Sequence, residues 1–308
     1  MKNQFEKYHP LINFIYFTVV LLITMFIMHP AVIILSFALS TLYSIQLKGV
    51  RSTGKTLGYM AIMGAMIMIV NPLFNHQGVT TLYRFKSGNY MTLESVIYGC
   101  FMAMMLMSVI MWFHCYNEVM TTDKFVYLFG RISPHFSLVL SMTLRFIPRF
   151  KAQFRQVRDA QKCIGKDIGQ GNIFERIGHF THEISIMISW SMENSIETAD
   201  SMKARGYGLP GRTAYSIYTF RKKDGILLAV IGVMTVAFIT LGAGGYLYSQ
   251  YFPYYRANVF SMETLAAEIL FIMLGSIPLI LDWISNQKGL KKQKRNIPME
   301  ERIDVNRN

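Results

Sequence analysis

Long uncharged apolar runs, separated by short clusters of basic residues, occupy most of the chain. Six of them reach or approach the roughly 20 residues, within a range of about 17–25, that a helix needs to cross a bilayer: 11–28, 31–47, 57–74, 95–115, 225–250 and 265–284. Residues 116–223 break this pattern with 16 basic and 9 acidic side chains. Within that block, 132–144 is uncharged but too short to span, which predicts an interfacial helix, and 123–129 reads as a similar short piece. After Pro148 a helix is predicted over 149–164. Phe150, Phe154, Val157 and Ile164 form one stripe on it, while Lys151, Arg155, Arg158 and Lys162 lie mostly elsewhere. Gly165, Gly169 and Gly171 then mark a loop.

A second long helix is predicted over 175–204, roughly 45 Å at 1.5 Å per residue. Ile177, Phe180, Ile184, Ile188, Ser191, Ser195 and Met202 are expected to be its buried face. Ser191 and Ser195 are small enough there to let another helix cross closely. Gly206, Gly208, Pro210 and Gly211 stop the helix. Arg205 sits in its last turn, where the negative end of the helix dipole favours a cation. The expected fold is an all-α polytopic membrane protein. It has about six transmembrane helices and a cytoplasmic or interfacial region built on two long helices. The expected layout is 1–115 for the first four spans, 116–223 for that region, 224–285 for the last two spans, and 286–308 for a basic tail.

Charge sets the orientation. The chain is 52% hydrophobic with a formal charge of +13, and its charges are absent from the long runs, which points to a membrane protein rather than a nucleic-acid binder. With six spans and both termini cytoplasmic, inside segments hold 2 (residues 1–10), 3 (48–56), 16 (115–223) and 7 (286–308) of the 31 Lys and Arg residues. Only Arg84, Lys86 and Arg256 then face outward. Such a bias is the positive-inside pattern of a plasma-membrane protein. No small residues stand where a signal peptidase would cut near Ile27–Pro30, so the first span is expected to be retained. Cys100, Cys115 and Cys163 fall in or beside spans or in the cytoplasm and imply no disulfide framework.

Gly49, Gly54, Lys55 and Thr56 in GVRSTGKT fit the G-x-x-x-x-G-K-[ST] spacing of a phosphate-cradling loop. That loop needs a strand before it and a soluble sheet around it, whereas here one membrane span precedes it and another follows. Asp282, after Leu279-Ile280-Leu281, imitates the acid that would hold magnesium, but it stands at the inner end of the sixth span. The sequence therefore predicts a basic loop of about nine residues facing anionic headgroups, not a nucleotide site.

Two other functions are open to a chain with this many spans. A membrane-embedded enzyme would need a site such as His179 and His182, three residues apart, but these match neither H-E-x-x-H nor H-x-x-E-H and lack an evident third ligand. A secondary transporter would carry ionisable residues along a path in its spans. Only Glu268 lies plausibly within one, while Glu94 and His114 stand at the ends of the fourth. The 22 methionines read as fillers of lipid and helix contacts, and as a soft surface for a moving partner.

Ser201-Met202-Lys203-Ala204-Arg205-Gly206-Tyr207-Gly208 with Arg212-Thr213 resembles the Ala-Arg-Gly region of a known family. So do Asn71-Pro72-Leu73-Phe74 with His76, Gly78 and Thr80, Thr143-Leu144-Arg145-Phe146-Ile147-Pro148, and Ala160-Gln161. These four stretches, in this order over about 71–213, identify the chain as resembling the transmembrane T component of energy-coupling factor transporters, the CbiQ/EcfT-like family. The resemblance implies a non-catalytic scaffold in which the region 116–223 couples to two ABC-type ATPase subunits docked on the tips of two crossed helices. It further implies a separate small membrane subunit that captures a vitamin or metal ion. No catalytic residue, cofactor or metal site is implied in this chain. Ala204, Arg205 and Gly206 would form one ATPase-docking tip, with the arginine entering a groove and meeting carboxylates in two-point geometry. The first tip departs from the family: Ile164 stands where an arginine is expected, with Gly165 retained. Either Lys162 or Lys166 supplies the charge there, or that tip docks through apolar contact.

Overall fold

Proline and glycine decide where the apolar runs become helices. Pro10 and Pro30 open α1 (Pro10–Phe26) and α2 (Pro30–Lys48) at positions where a missing N–H costs nothing. Gly49, at φ 83, is the only residue between α2 and α3 (Val50–Phe74). The remaining helices are α4 (Leu93–Val119), α5 (Thr122–Ile132), α6 (Pro134–Cys163), α7 (Ile173–Ala204), α8 (Lys222–Ala243) and α9 (Met262–Arg295). The computed structural model describes residues 4–84, 90–132, 134–167, 169, 171–207, 209, 218–257 and 261–295, without the side chains of 131–137, 286 and 288–295. Gly208, Pro210–Thr213, Lys86 and most of the basic tail lie outside the described residues. The chain divides into Met1–Phe125 with Tyr218–Asn308, and Val126–Ile217.

The first unit is a bundle of apolar helices, and the fold is that of an all-α polytopic membrane protein. Among the described residues five helices are long and apolar enough to cross a bilayer: α2, α3, α4, α8 and the first 24 residues of α9, Met262–Ser285. The sequence predicted six, and the difference is α1, which has 17 residues and is classed as a shorter apolar helix. At 1.5 Å per residue it is about 25 Å long, against about 30 Å of hydrocarbon. Its ends nevertheless lie at opposite ends of the bundle. Ahead of α1, the N–H groups of Gln4 and Phe5 donate to Asp282 Oδ1, at 2.6 and 3.0 Å, at the far end of the α9 span. After α1, the carbonyl of Met28 accepts from Tyr251 Oη at 2.7 Å, beyond the other end of α8.

The bundle centre is aromatic and wired by hydroxyls. Phe5, Tyr16, Phe17, Tyr43 and Trp112 are fully buried, with ring centroids 5.2–6.5 Å apart. Trp112 Nε1 and Ser108 Oγ donate to Ser36 Oγ at 2.9 and 2.8 Å. Ser36 lies 2.8 Å from Thr24 Oγ1, which itself donates to the Val20 carbonyl at 2.8 Å. This chain of hydroxyls ties α1, α2 and α4 together where no water is present to satisfy them. Glu268 of α9 faces buried His29 at 3.9 Å.

Short hairpins close the opposite end. β1 (Thr81–Arg84) pairs antiparallel with β2 (Tyr90–Thr92) between α3 and α4, and β3 (Ser249–Gln250) with β4 (Arg256–Ala257) between α8 and α9. Glu94, in the first turn of α4, accepts from the Thr80 N–H at 3.3 Å and its hydroxyl at 2.9 Å. Gly78 is at φ +139, and a Cβ there would lie 2.5 Å from Glu94 Oε2. Glu94 thus anchors the segment after α3 rather than floating at an interface.

Four boundaries differ from the sequence-based expectation. There is no nine-residue loop at 48–56, because α3 begins at Val50 and continues through Phe74. The fifth span stops at Ala243, since Gly244 and then Gly245 at φ 81 end it. The 132–144 and 149–164 segments are one 30-residue helix, α6, which passes through Pro148. α9 runs on past its span to Arg295, into the segment expected to be the basic tail.

The orientation expected from the charge bias can be tested by direct labelling. Single cysteines at Gln77 and Tyr248, both exposed, in a cysteine-free background should react with an impermeant thiol reagent added to intact cells. A cysteine at Ser201 should be protected until the cells are opened. Labelling of Ser201 from outside would place α7 on the wrong side and end the cytoplasmic assignment.

Candidate docking site at two helix ends

The second unit, Val126–Ile217, is built on α6 and α7. Phe150 meets Trp190 edge-on at 5.3 Å, and the Arg149 guanidinium lies 6.0 Å from the same ring. Val157 of α6 and Glu183, Met187 and Asn194 of α7 are buried. This corrects the expected inner face of α7. Ile177, Phe180 and Ile188 are 57%, 47% and 54% exposed, and Ser195 is exposed as well. The face turned inward carries a glutamate and an asparagine, and of the expected stripe Ile184, Ser191 and Met202 are half-buried while the rest is open.

α7 starts at a capping box. The Asn172 N–H donates to Glu175 Oε2 at 3.0 Å, and the Asn172 side chain accepts from the Ile173 N–H at 2.8 Å. It ends in a Schellman turn. The Tyr207 N–H donates to the Met202 carbonyl at 3.0 Å, the Gly206 N–H donates to the Lys203 carbonyl at 3.0 Å, and Gly206 is at φ +78. Arg205 is the C-cap residue, with its side chain exposed.

α6 ends in the same way. The Lys166 N–H donates to the Gln161 carbonyl and the Gly165 N–H to the Lys162 carbonyl, both at 3.0 Å, with Gly165 also at φ +78. Ile164 thus holds the position on α6 that Arg205 holds on α7, and it is 63% exposed. The five residues singled out in the sequence, Ile164, Gly165, Ala204, Arg205 and Gly206, fall into two tips of one backbone geometry. Among the described residues no ion pair joins a carboxylate to either tip. Sequence reasoning named Tyr207 and Lys166 but not their part in the turns, which their N–H groups close; a glycine one residue after a helix end was the available signal.

The phosphate-loop spacing at 49–56 has no phosphate cradle. Residues from Val50 onward are helical, and from Thr53, whose N–H donates to the Gly49 carbonyl at 3.2 Å, the amides are committed to the helix. Thr53 is buried with its hydroxyl 3.0 Å from Ser44 Oγ, and Thr56 donates to the Ser52 carbonyl at 3.3 Å. Asp282 is occupied with the Gln4 and Phe5 amides. Among the described residues no group of three His, Cys, Asp or Glu side chains could hold a metal ion.

The sequence model of the family described as CbiQ, cobalt transport protein, matches residues 3–215. The energy-coupling factor transporter transmembrane protein EcfT of Lactococcus lactis subsp. cremoris (strain MG1363) is 33% identical over 103 residues, 33% of this chain and 39% of that protein. EcfT of Lacticaseibacillus paracasei is 32% identical over 108 residues, 35% of this chain and 41% of its own length. EcfT 1 of Listeria monocytogenes serotype 1/2a (strain 08-5578) is 33% identical over 106 residues, 34% and 40% respectively. The chain thus spans about two fifths of the length of these curated relatives.

Proposed function

Since the chain belongs to the CbiQ (cobalt transport protein) family, we propose that it is the transmembrane coupling subunit of an energy-coupling factor importer. In this role it links ATP hydrolysis by two ABC-type ATPase subunits to uptake of a vitamin or metal ion held by a separate small membrane subunit. The chain itself is non-catalytic. The observation that carries the reading is the pair of matched, exposed helix ends. Ala204-Arg205-Gly206 closes α7 and Ile164-Gly165 closes α6 in the same turn. A lone arginine at a helix end is most often a capping charge. Two tips of identical geometry on two packed helices, in a chain of this family, fit a pair of docking points.

The open apolar stripe of α7 (Ile177, Phe180, Ile188) supports the same reading, since a surface of this kind needs an apolar partner. Both termini are assigned to the cytoplasm and α1 to a sixth crossing. In support, α1 runs from the Asp282 end of the bundle to the Tyr251 end, and six crossings keep 28 of the 31 basic residues on one side. Residues 116–223 form the coupling region between the spans of 1–115 and 224–285, with 286–308 as the cytoplasmic tail.

The reading is tested by isolating the tagged chain from its own cells and following ATP hydrolysis in the eluate. The complex should hydrolyse ATP, while the chain stripped of its partners should neither bind nor hydrolyse it. Lys55→Ala, on an exposed helix surface, should leave hydrolysis within about twofold of wild type. Micromolar ATP binding by the lone chain that vanishes in Lys55→Ala would overturn the assignment of catalysis to partners.

A further inference from the structure

One face of α6 changes character at Pro148. At 100° per residue, Leu140, Leu144, Ile147, Lys151, Arg155, Arg158 and Lys162 fall within a sector about 80° wide. Its first half is apolar, with Leu140 and Leu144 half-buried and Ile147 46% exposed. Its second half is basic, with Lys151, Arg155, Arg158 and Lys162 all exposed. No acidic residue interrupts it: Asp159, the one carboxylate of the helix, lies about 100° from Arg158 and about 40° beyond the edge of the sector. The four cations cover about 17 Å of helix at 1.5 Å per residue. Helix stability does not require this segregation, because like charges four apart repel.

We infer that this face of α6 binds anionic phospholipid, with Leu140, Leu144 and Ile147 against the acyl chains and Lys151, Arg155, Arg158 and Lys162 on the headgroup phosphates. Apolar residues continuing in register into a basic row are what a helix lying in the bilayer interface presents. An acidic protein surface would account for the cations, but not for the exposed isoleucine and half-buried leucines in line with them. Each cation near an anionic leaflet raises affinity roughly fivefold, and the attraction fades as salt shortens the screening length. The consequence for transport is that the coupling region is held at the headgroup layer, and more firmly where the inner leaflet is more anionic.

The test uses the full chain in vesicles, with a single cysteine at Ile147 carrying an environment-sensitive fluorophore and all native cysteines replaced. The vesicles contain phosphatidylcholine and phosphatidylglycerol at 70:30 (chosen to approach the anionic share of an inner leaflet), and bromine is placed on the acyl chains of one lipid or the other. Corrected for mole fraction, brominated phosphatidylglycerol should quench about threefold or more better than brominated phosphatidylcholine. The preference should fall in high salt. It should disappear when Lys151, Arg155, Arg158 and Lys162 are all changed to Glu, with the helical circular dichroism unchanged. Charge-preserving Lys151→Arg with Lys162→Arg should keep it. Equal quenching by both lipids would overturn the inference. So would a preference that survives the fourfold reversal. A fourfold variant that loses ATP hydrolysis from the eluate while its lipid preference is unchanged would assign the stripe to a protein partner instead.

Discussion

Arg205→Glu should release at least one ATPase from the isolated complex and abolish uptake, while the membrane bundle stays folded. The two roles open to Arg205 differ in size. As a charge at the negative end of its own helix it contributes about 0.3–1 kcal/mol, lost locally and without effect on partners. As a guanidinium paired with buried carboxylates across an interface, truncation costs roughly 2–5 kcal/mol, about 30- to 4000-fold in affinity. Arg205→Ala should fall in the second range, and Arg205→Glu should cost more than that, since a carboxylate would face the same groove. The tip itself should survive, because the turn is made by backbone groups of Met202, Lys203, Gly206 and Tyr207 and by the positive φ of Gly206. Ile164→Ala should weaken association less, as it removes packing and leaves no charge stranded. The readouts are ATP hydrolysis per mole of tagged chain and substrate uptake by the cells. Wild-type values for Arg205→Glu in both would reduce the arginine to a capping charge.

Much of the architecture was legible because membranes simplify the code. A helix surrounded by lipid must be apolar for its full length, so α2, α4 and α9 could be placed from hydropathy. What hydropathy cannot give is where a helix continues without need of apolar residues. Val50–Thr56 extends α3 beyond its apolar run, since one glycine suffices to turn the chain between α2 and α3. The converse error fell at 244–250, where apolar residues follow glycines and leave the helix. Pro148 was read as a break because proline lacks the N–H and crowds the preceding turn, yet α6 carries it inside the helix.

The inner face of α7 was the harder failure. Periodicity ranks faces by apolar content, and the most apolar face was expected to be buried within the chain. In α7 much of that face is open instead, and Glu183 and Asn194 are turned in. The tips were legible only through resemblance. Nothing in the composition around Arg205 separates a docking arginine from a capping one. Their matched geometry, down to the hydrogen bonds of Lys166 and Tyr207, emerged from the backbone.

Asp282→Ala should detach the N-terminal segment and destabilise the bundle by roughly 2–5 kcal/mol, although the sequence offered this residue only as a false magnesium ligand. Asp282 is 3% exposed, and its Oδ1 accepts from the N–H groups of Gln4 and Phe5. Gln4 and Phe5 stand at the start of a short 3-10 helix, Phe5–Lys7, where N–H groups lack an intrahelical partner, and leaving a buried donor unpaired costs about 1–3 kcal/mol each. Phe5 would lose its seat at the same time. It is fully buried, edge-on to Tyr16 at 5.2 Å and Phe17 at 6.2 Å, so its release opens a void beside the aromatic centre. The same segment is held from a second side by Lys124 of α5, which donates to the Glu6 carbonyl and, at 2.8 Å, to that of Val119. Burial pushes the Lys124 ammonium down from its ordinary pKa, with Glu6 opposing. Asp282→Asn keeps an acceptor of the same shape and should cost less than half as much as Asp282→Ala. Thermal unfolding in detergent measures the loss of stability, and hydrogen exchange at Gln4–Lys7 measures the detachment. Unchanged protection of those amides in Asp282→Ala would show that Lys124 and the packing of Phe5 hold the segment without the carboxylate.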